Sequence, residues 1–175
     1  MRGKLKIGLY GAVYYKMDTK EIVFGIKSLK EKDCDLVIFA PHWGAEGSYY
    51  PTEEQRNLAY AVIDAGADIV WGSHPHVLQP MESYNDGVIF YSLGNFSFGG
   101  NGYPQDLDTA LVQQEIIRDA AGIRLGETTL IPASVSSIPD RNNFQPTPYV
   151  PGSEEYDRVL SKLDGTFEGP NLKIN

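Results

Sequence analysis

The sequence holds one cysteine, Cys34, among its 175 residues. A single thiol excludes an internal disulfide and any zinc site built from several cysteines. Its setting, KDCDLVIFA, places it as a small residue ahead of a strand. Basic residues are scarce as well: 15 Lys and Arg stand against 23 Asp and Glu, a net charge of −8. No run of lysine or arginine can track a phosphate backbone, which argues against nucleic acid as a partner. No apolar run approaches the roughly eighteen residues that a membrane-spanning helix needs. The opening MRGKLKIGLYGAVYYK sets basic residues before an apolar stretch, as a secretion signal does. That stretch is short, broken by glycine and rich in tyrosine, so it reads as a first strand, and the chain reads as soluble with no signal peptide. GxGxxG and GxxxxGK[ST] loops are missing, against a dinucleotide or P-loop nucleotide site. GNFS lacks the GxSxG elbow, and neither Ser92 nor Ser97 has an evident acid or base, so a serine nucleophile has no support.

What is present is enough apolar sequence, 42%, for one packed domain and a tail. Apolar blocks bounded by turn residues recur: KLKIGLY, DLVIFAP at 35–41, DIVWG at 68–72 and GVIFYSLG at 87–94. Continuous runs of this length fit strands buried on both faces. Between the first two, Ile22, Ile26 and Leu29 recur at helical spacing. Between the second and third, Thr52 and Gln55 form a capping box, Leu58, Ala59, Val62 and Ile63 supply a buried stripe, and Gly66 ends the helix. Alternation of strand and helix predicts an α/β fold with mostly parallel strands and helical crossovers. TALVQQEII and 123–131, joined at DAAG, predict an antiparallel hairpin that extends or covers that sheet. From 139 onward, Pro139, Pro146, Pro148 and Pro151 break regular structure. One short helix follows, capped by Ser153 and ended by Gly165, and TFEGPNLKIN reads as a loose end.

The chain's three histidines all fall at strand ends. His42 follows DLVIFAP, and His74 and His76 follow DIVWG in WGSHPHVLQP. Functional groups of open parallel sheets collect beyond the carboxyl ends of strands. Pro75 biases Ser73 and His74 toward an extended backbone, in which residues i and i+2 point to one side, so His74 and His76 are expected to face one site. Neutral imidazole is the commonest side-chain ligand for first-row metals. Glu46, four residues beyond His42, is a candidate carboxylate ligand, an orienting partner for an imidazole, or a general acid/base. Its spacing equally suits an exposed loop glutamate. Gln79 is either a hydrogen-bonding neighbour of the site or a surface residue. Gly94 suits close backbone approach to a ligand and Asn95 a loop anchor, the structural role being the better supported.

HWGAE at 42–46, PTEEQRNLAYAVIDAGADIVWGSHPHVLQPME at 51–82 and VIFYSLGNFSF at 88–98 resemble the bacterial capsule synthesis, or poly-gamma-glutamate biosynthesis, family, similar in fold to the calcineurin-like metallophosphoesterases. The resemblance runs from about residue 5 to 149. It implies a metallophosphatase-like α/β sandwich with two divalent ions (Mn, Zn or Fe) at the strand ends, His42 and His74 sharing one ion and His76 holding its neighbour. Glu46 and His76 are then the candidate catalytic residues, and His42, His74 and His76 the metal ligands. The family's leading GD motif, its asparagine and glutamate element and its NNH segment have no counterpart here. Residues 1–138 therefore resemble the C-terminal half of the family domain, followed by a proline-rich extension at 139–175, and the site lacks its bridging carboxylate.

Three functions of different class follow as expectations. The first is metal-dependent chemistry on a phosphoester or gamma-glutamyl bond in surface-polymer synthesis. The second is a non-catalytic scaffold or polymer-binding subunit holding an anionic chain. The third is an inactive fragment that pairs its free sheet edge with a second copy. The resemblance further implies membrane-associated capsule synthesis machinery as a partner and a place outside the cytoplasmic membrane for the family.

Overall fold

The computed structural model describes residues 4–16, 18–120 and 122–173. Strands β1 (Ile7–Val13), β2 (Leu36–His42), β3 (Ile69–Trp71), β4 (Leu78–Tyr84) and β5 (Gly87–Leu93) form one sheet in the order β1-β2-β3-β5-β4. The pairs β1–β2, β2–β3 and β3–β5 are parallel, and β4 joins β5 antiparallel at the far edge. The fold is α/β, as the alternation predicts. Strand β4 has no counterpart among the expected strands: LQPMESY carries a proline, a glutamate and a serine, the composition of an edge strand rather than of a buried one.

Two helices connect the parallel strands across one face. Helix α1 (Thr19–Glu31) begins at Asp18, whose side chain accepts from the Glu21 N–H, and buries Ile22 and Ile26 completely. Helix α2 (Glu53–Asp64) has the expected capping box, with Thr52 and Gln55 bonded reciprocally. It buries Leu58, Ala59, Val62 and Ile63 against Val37, Phe39, Val70, Ile89 and Tyr91 of the sheet. Each such aliphatic side chain contributes about 1.5–3 kcal/mol by leaving water.

The opposite face is covered by a hairpin, β6 (Asp108–Asp119) and β7 (Gly122–Ser134), extended by the two-residue β8 (Thr147–Pro148). Val112, Ile116, Leu125 and Leu130 pack there on Leu36, Ile69, Val88 and Phe90. The hairpin thus covers the sheet rather than extending it; Ala121, in the expected DAAG turn, lies outside the described residues. Helix α3 (Glu154–Asp164), capped by Ser153 and closed by Gly165 in the left-handed conformation, seats Val159 and Leu163 against Leu78 and Ala110.

The segment after α3, expected to be loose, is tied down as far as residue 173. The Leu172 N–H donates to the Gly47 carbonyl (2.9 Å), and Asn171 Oδ1 accepts from the Tyr49 N–H (3.0 Å). The Tyr50 hydroxyl donates to the Gly169 carbonyl (2.9 Å). Its anchor is the loop after His42, not a partner predictable from its own composition.

Candidate metal centre

Strands β2 and β3 deliver the three histidines to one edge. The parallel pairing continues one step past the strands, His42 bridging to Ser73, with the Trp43 N–H donating to the Ser73 carbonyl (3.0 Å) and the Ser73 N–H to the Pro41 carbonyl (3.0 Å). Gly72 permits this close passage: a Cβ there would meet the Tyr91 carbonyl oxygen at 2.1 Å and Trp43 Nε1 at 2.5 Å. Trp43, 1% exposed, donates its indole N–H to that same carbonyl (2.9 Å) and so fixes the turn after His42 from inside the core.

The SHPH segment is not extended. His74 has φ 102° and His76 φ 60°, left-handed values that cost a non-glycine residue on the order of 1–3 kcal/mol each. The two rings do approach, with centroids 6.0 Å apart, but through two backbone kinks rather than through the two-residue repeat of a strand. Surrounding bonds hold the kinks. The Pro75 carbonyl accepts from the Gly47 N–H (2.8 Å), and the Asn95 Nδ2 amide donates to the His76 carbonyl (3.2 Å).

Asn95 also fixes the His76 ring. Its Oδ1 lies 2.8 Å from His76 Nδ1, and an amide oxygen can only accept, so Nδ1 carries a proton and Nε2 is the nitrogen that can serve as a ligand. The sequence allowed Asn95 as a loop anchor; the structure gives it that role and an orienting one together. The His42 ring lies against His74 at a tilt of 46°, centroids 4.4 Å apart, with its Nδ1 3.4 Å from Ser73 Oγ. Burial lowers the His74 pKa first, the neighbouring His42 and His76 lower it further, and Glu46 opposes them. The net lowering favours the neutral His74 ring, the form that donates a lone pair to a metal.

Ligand atoms of Glu46, His74 and His76 lie within 4.8 Å of one another. Of the sequence-derived candidates, these three converge, and His42 stands beside them against His74. The resemblance implies that His42 and His74 share one ion and His76 holds its neighbour; the His42 and His74 ring centroids lie 4.4 Å apart and those of His74 and His76 6.0 Å. Glu46 sits on an exposed loop whose neighbours are held from below: Gln79, fully buried, donates to the Ser48 carbonyl (2.8 Å) and accepts from Gln55 (2.9 Å). Gln79 is therefore a support of the loop and not a surface residue. Gly94 (φ 68°) faces the backbone of Asp108 and Leu78, so packing accounts for it.

Residues that spacing could not find are Tyr49, Asp106, Asp108, Arg158 and Lys162. Lys162 Nζ reaches Asp106 (2.6 Å) and Asp108 (2.7 Å), and the Tyr49 hydroxyl donates to Asp106 (2.8 Å). This buried network ties α3 to the Glu46 loop across more than a hundred residues of sequence, with no local signal in the chain.

A mostly parallel sheet with helices on one face and an antiparallel hairpin on the other is consistent with a metallophosphatase-like α/β fold. Residues 5–100 match the family model of the bacterial capsule synthesis protein PGA_cap, and the chain belongs to that family. It is 44% identical over 124 residues to the PGA biosynthesis protein CapA of Bacillus subtilis (strain 168), covering 67% of this chain and 32% of that relative. It is 43% identical over 122 residues to the capsule biosynthesis protein CapA of Bacillus anthracis, covering 66% of this chain and 29% of that relative. The chain thus spans about a third of the length of the relatives it matches.

Proposed function

We propose that Glu46, His74 and His76, with His42 at the rim, hold a divalent metal ion (Zn, Mn or Fe), and that the site serves surface-polymer synthesis through a phosphoester or gamma-glutamyl bond. The observation that carries the reading is the convergence of three ligand atoms within 4.8 Å. Bonds of about 2.0–2.2 Å from imidazole nitrogen and carboxylate oxygen suit that spacing after small side-chain rotations. Two imidazoles and one carboxylate form a donor set that leaves coordination positions open.

When bound, the ion supplies Lewis-acid chemistry, polarising a phosphoryl or carbonyl oxygen. The chain's own residues prepare the site. Asn95 orients the His76 ring through Nδ1, the lowered pKa of His74 favours its unprotonated ring, and the bonds around Gly47 and Ser48 hold the loop that carries Glu46. Glu46 and His76 also line the adjoining cleft, so they are the two donors that border both ion and substrate.

Calorimetry with Zn2+ and Mn2+ tests the site. His74→Ala should lower affinity at least tenfold and Asn95→Ala about tenfold, as loss of an orienting partner does. Equal affinity in the unsubstituted chain and His74→Ala would end the metal reading. Metal binding without turnover of either bond class would favour the polymer-binding subunit instead. The cluster offers that alternative its support: Glu46 is the single carboxylate among the converging donors.

A further inference from the structure

We infer that Asn101 is a self-modifying site: the Gly102 nitrogen attacks its side-chain amide, which leaves as ammonia, and a carboxylate remains on the cleft shared with Glu46 and His76. Asn101–Gly102 is the one Asn-Gly step in the sequence. Neither packing nor backbone strain accounts for that glycine, since a Cβ on Gly102 would meet nothing within 4 Å and its φ lies outside the left-handed region. What the glycine supplies is an unhindered peptide nitrogen.

The hydrogen bonds around the pair favour the attack from both sides. Asn101 Oδ1 accepts from the Tyr103 N–H (2.8 Å), an Asx turn that folds the side chain back along the Asn101–Gly102 peptide. The same bond draws electrons from Cγ and is in place for the oxygen that becomes negative when Cγ is attacked, as an oxyanion donor is. On the nucleophile's side, the Asn142 Nδ2 amide donates to the Asn101 carbonyl (3.2 Å). That oxygen belongs to the peptide whose nitrogen is that of Gly102, and a donor there stabilises the anion formed when the nitrogen loses its proton. The Asn142 N–H donates to the Gly102 carbonyl (2.8 Å), so one buried residue pins the carbonyls on both sides of the reactive nitrogen. The Gly102 N–H has no acceptor among the described residues, and Asn101 is exposed, so solvent base reaches the proton.

Solvent base takes the Gly102 proton, the nitrogen bonds to Cγ, and a proton returns to Nδ2, which leaves as ammonia and closes a cyclic imide. Water then opens the ring. Cleavage of the Cγ–N bond gives aspartate, and cleavage at the main-chain carbonyl gives isoaspartate, whose backbone is longer by the side-chain methylene. Both products add a negative charge to a cleft whose carboxylates are Glu46 and Asp106. The cleft therefore grows more acidic as the chain ages, whether or not the strand ends hold a metal.

The test follows the full chain at mildly alkaline pH by peptide mapping and mass spectrometry, beside a synthetic peptide of the loop, SFGGNGYPQ, which lacks Asn142 and the fixed turn. Asn101 should gain one mass unit, part of it as isoaspartate, about tenfold faster in the folded chain than in the peptide, the worth of a hydrogen bond to a group that gains charge. Asn85, Asn95 and Asn143, which no glycine follows, should stay intact over the same period. Asn142→Asp removes the donor to the Asn101 carbonyl, keeps an acceptor for the Phe144 N–H, and should bring the folded rate down toward that of the peptide. Gly102→Ala, which the open space admits, should slow chain and peptide alike. An intact Asn101 in the folded chain, a folded rate at or below that of the peptide, or an unchanged rate in a folded Asn142→Asp chain overturns the inference. Thermal melting reports whether Asn142→Asp folds, and the comparison of chain with peptide decides the matter without it.

Discussion

Asp108 anchors the C-terminal helix by a buried charge. Its side chain is 1% exposed and accepts from Arg158 (2.7 and 2.8 Å), Lys162 (2.7 Å) and the Tyr149 hydroxyl (2.9 Å). Burial pushes the Asp108 carboxyl up, but the Arg158 hydrogen bonds and the charge of Lys162 outweigh it, and the pKa ends below its ordinary value of 3.8. Removing one member of a buried pair leaves the other charge stranded, at roughly 3–5 kcal/mol. Asp108→Asn should therefore lose about that much in urea unfolding, because Lys162, 3% exposed, is left with Asp106 as its one carboxylate partner among the described residues and Arg158 loses its charged partner. The depressed carboxyl adds stability above its unfolded pKa, and that stability is lost as pH falls through the folded value. Acid unfolding of the unsubstituted chain should steepen below about pH 4, and Asp108→Asn should lack that limb. Identical acid limbs would remove Asp108 from this account. The same residue shows what a sequence conceals. His42, His74 and His76 were legible because imidazoles are rare and fell at strand ends, whereas Asp108 was one of 23 acidic residues and its partners lie 41 to 54 positions away.

At the scale of elements, the strands and helices that carry a periodic or capped pattern were readable, and those defined by their neighbours were not. Helix α2 announces itself by Thr52, Gln55 and its apolar stripe. Strand β4 exists because β5 offers it an edge, and the segment from Phe167 to Leu172 is ordered by bonds to the Glu46 loop. That segment makes the C-terminal part of the chain a strap on the candidate site. The Tyr49 ring lies 4.9 Å from that of Phe167 and 4.8 Å from Lys162 Nζ, so apolar, charged and backbone contacts all act on the loop beside Glu46. Asn171→Ala deletes the acceptor for the Tyr49 N–H and should lower Zn2+ affinity severalfold, toward the tenfold that loss of an orienting contact brings. Asn171→Asp keeps an acceptor oxygen and should restore it. A purely structural strap would lower thermal stability in Asn171→Ala and leave Zn2+ affinity where it was.

For the whole molecule, the sheet has two edges, β1 and β4, of which β1 carries the more exposed apolar side chains. Strand β4 forms one edge in antiparallel pairing with β5, and at the other β1 has β2 as its single neighbour among the described residues, paired along all seven positions, with Ile7 52% and Leu9 66% exposed. An apolar hollow of about 520 Å³, lined by Ile38, Trp71, Phe96 and Leu111 among others, opens on the face that the hairpin covers. Among the described residues no helix is long and apolar enough to cross a membrane. A long free edge with apolar side chains is a template for another strand. A second copy of the chain can supply one, since an edge paired with itself about a two-fold axis satisfies both edges at once. Light scattering should then give twice the mass of one chain. Leu9→Lys sets a charge where the two edges would meet and should return the mass to that of one chain. The helix-side core is untouched by it, because Leu9 is exposed while Ile22, Ile26 and Phe39 remain buried, so far-UV circular dichroism should not change. A single-chain mass for the unsubstituted protein would show that β1 remains free, and the apolar edge would then need a different partner chain to cover it.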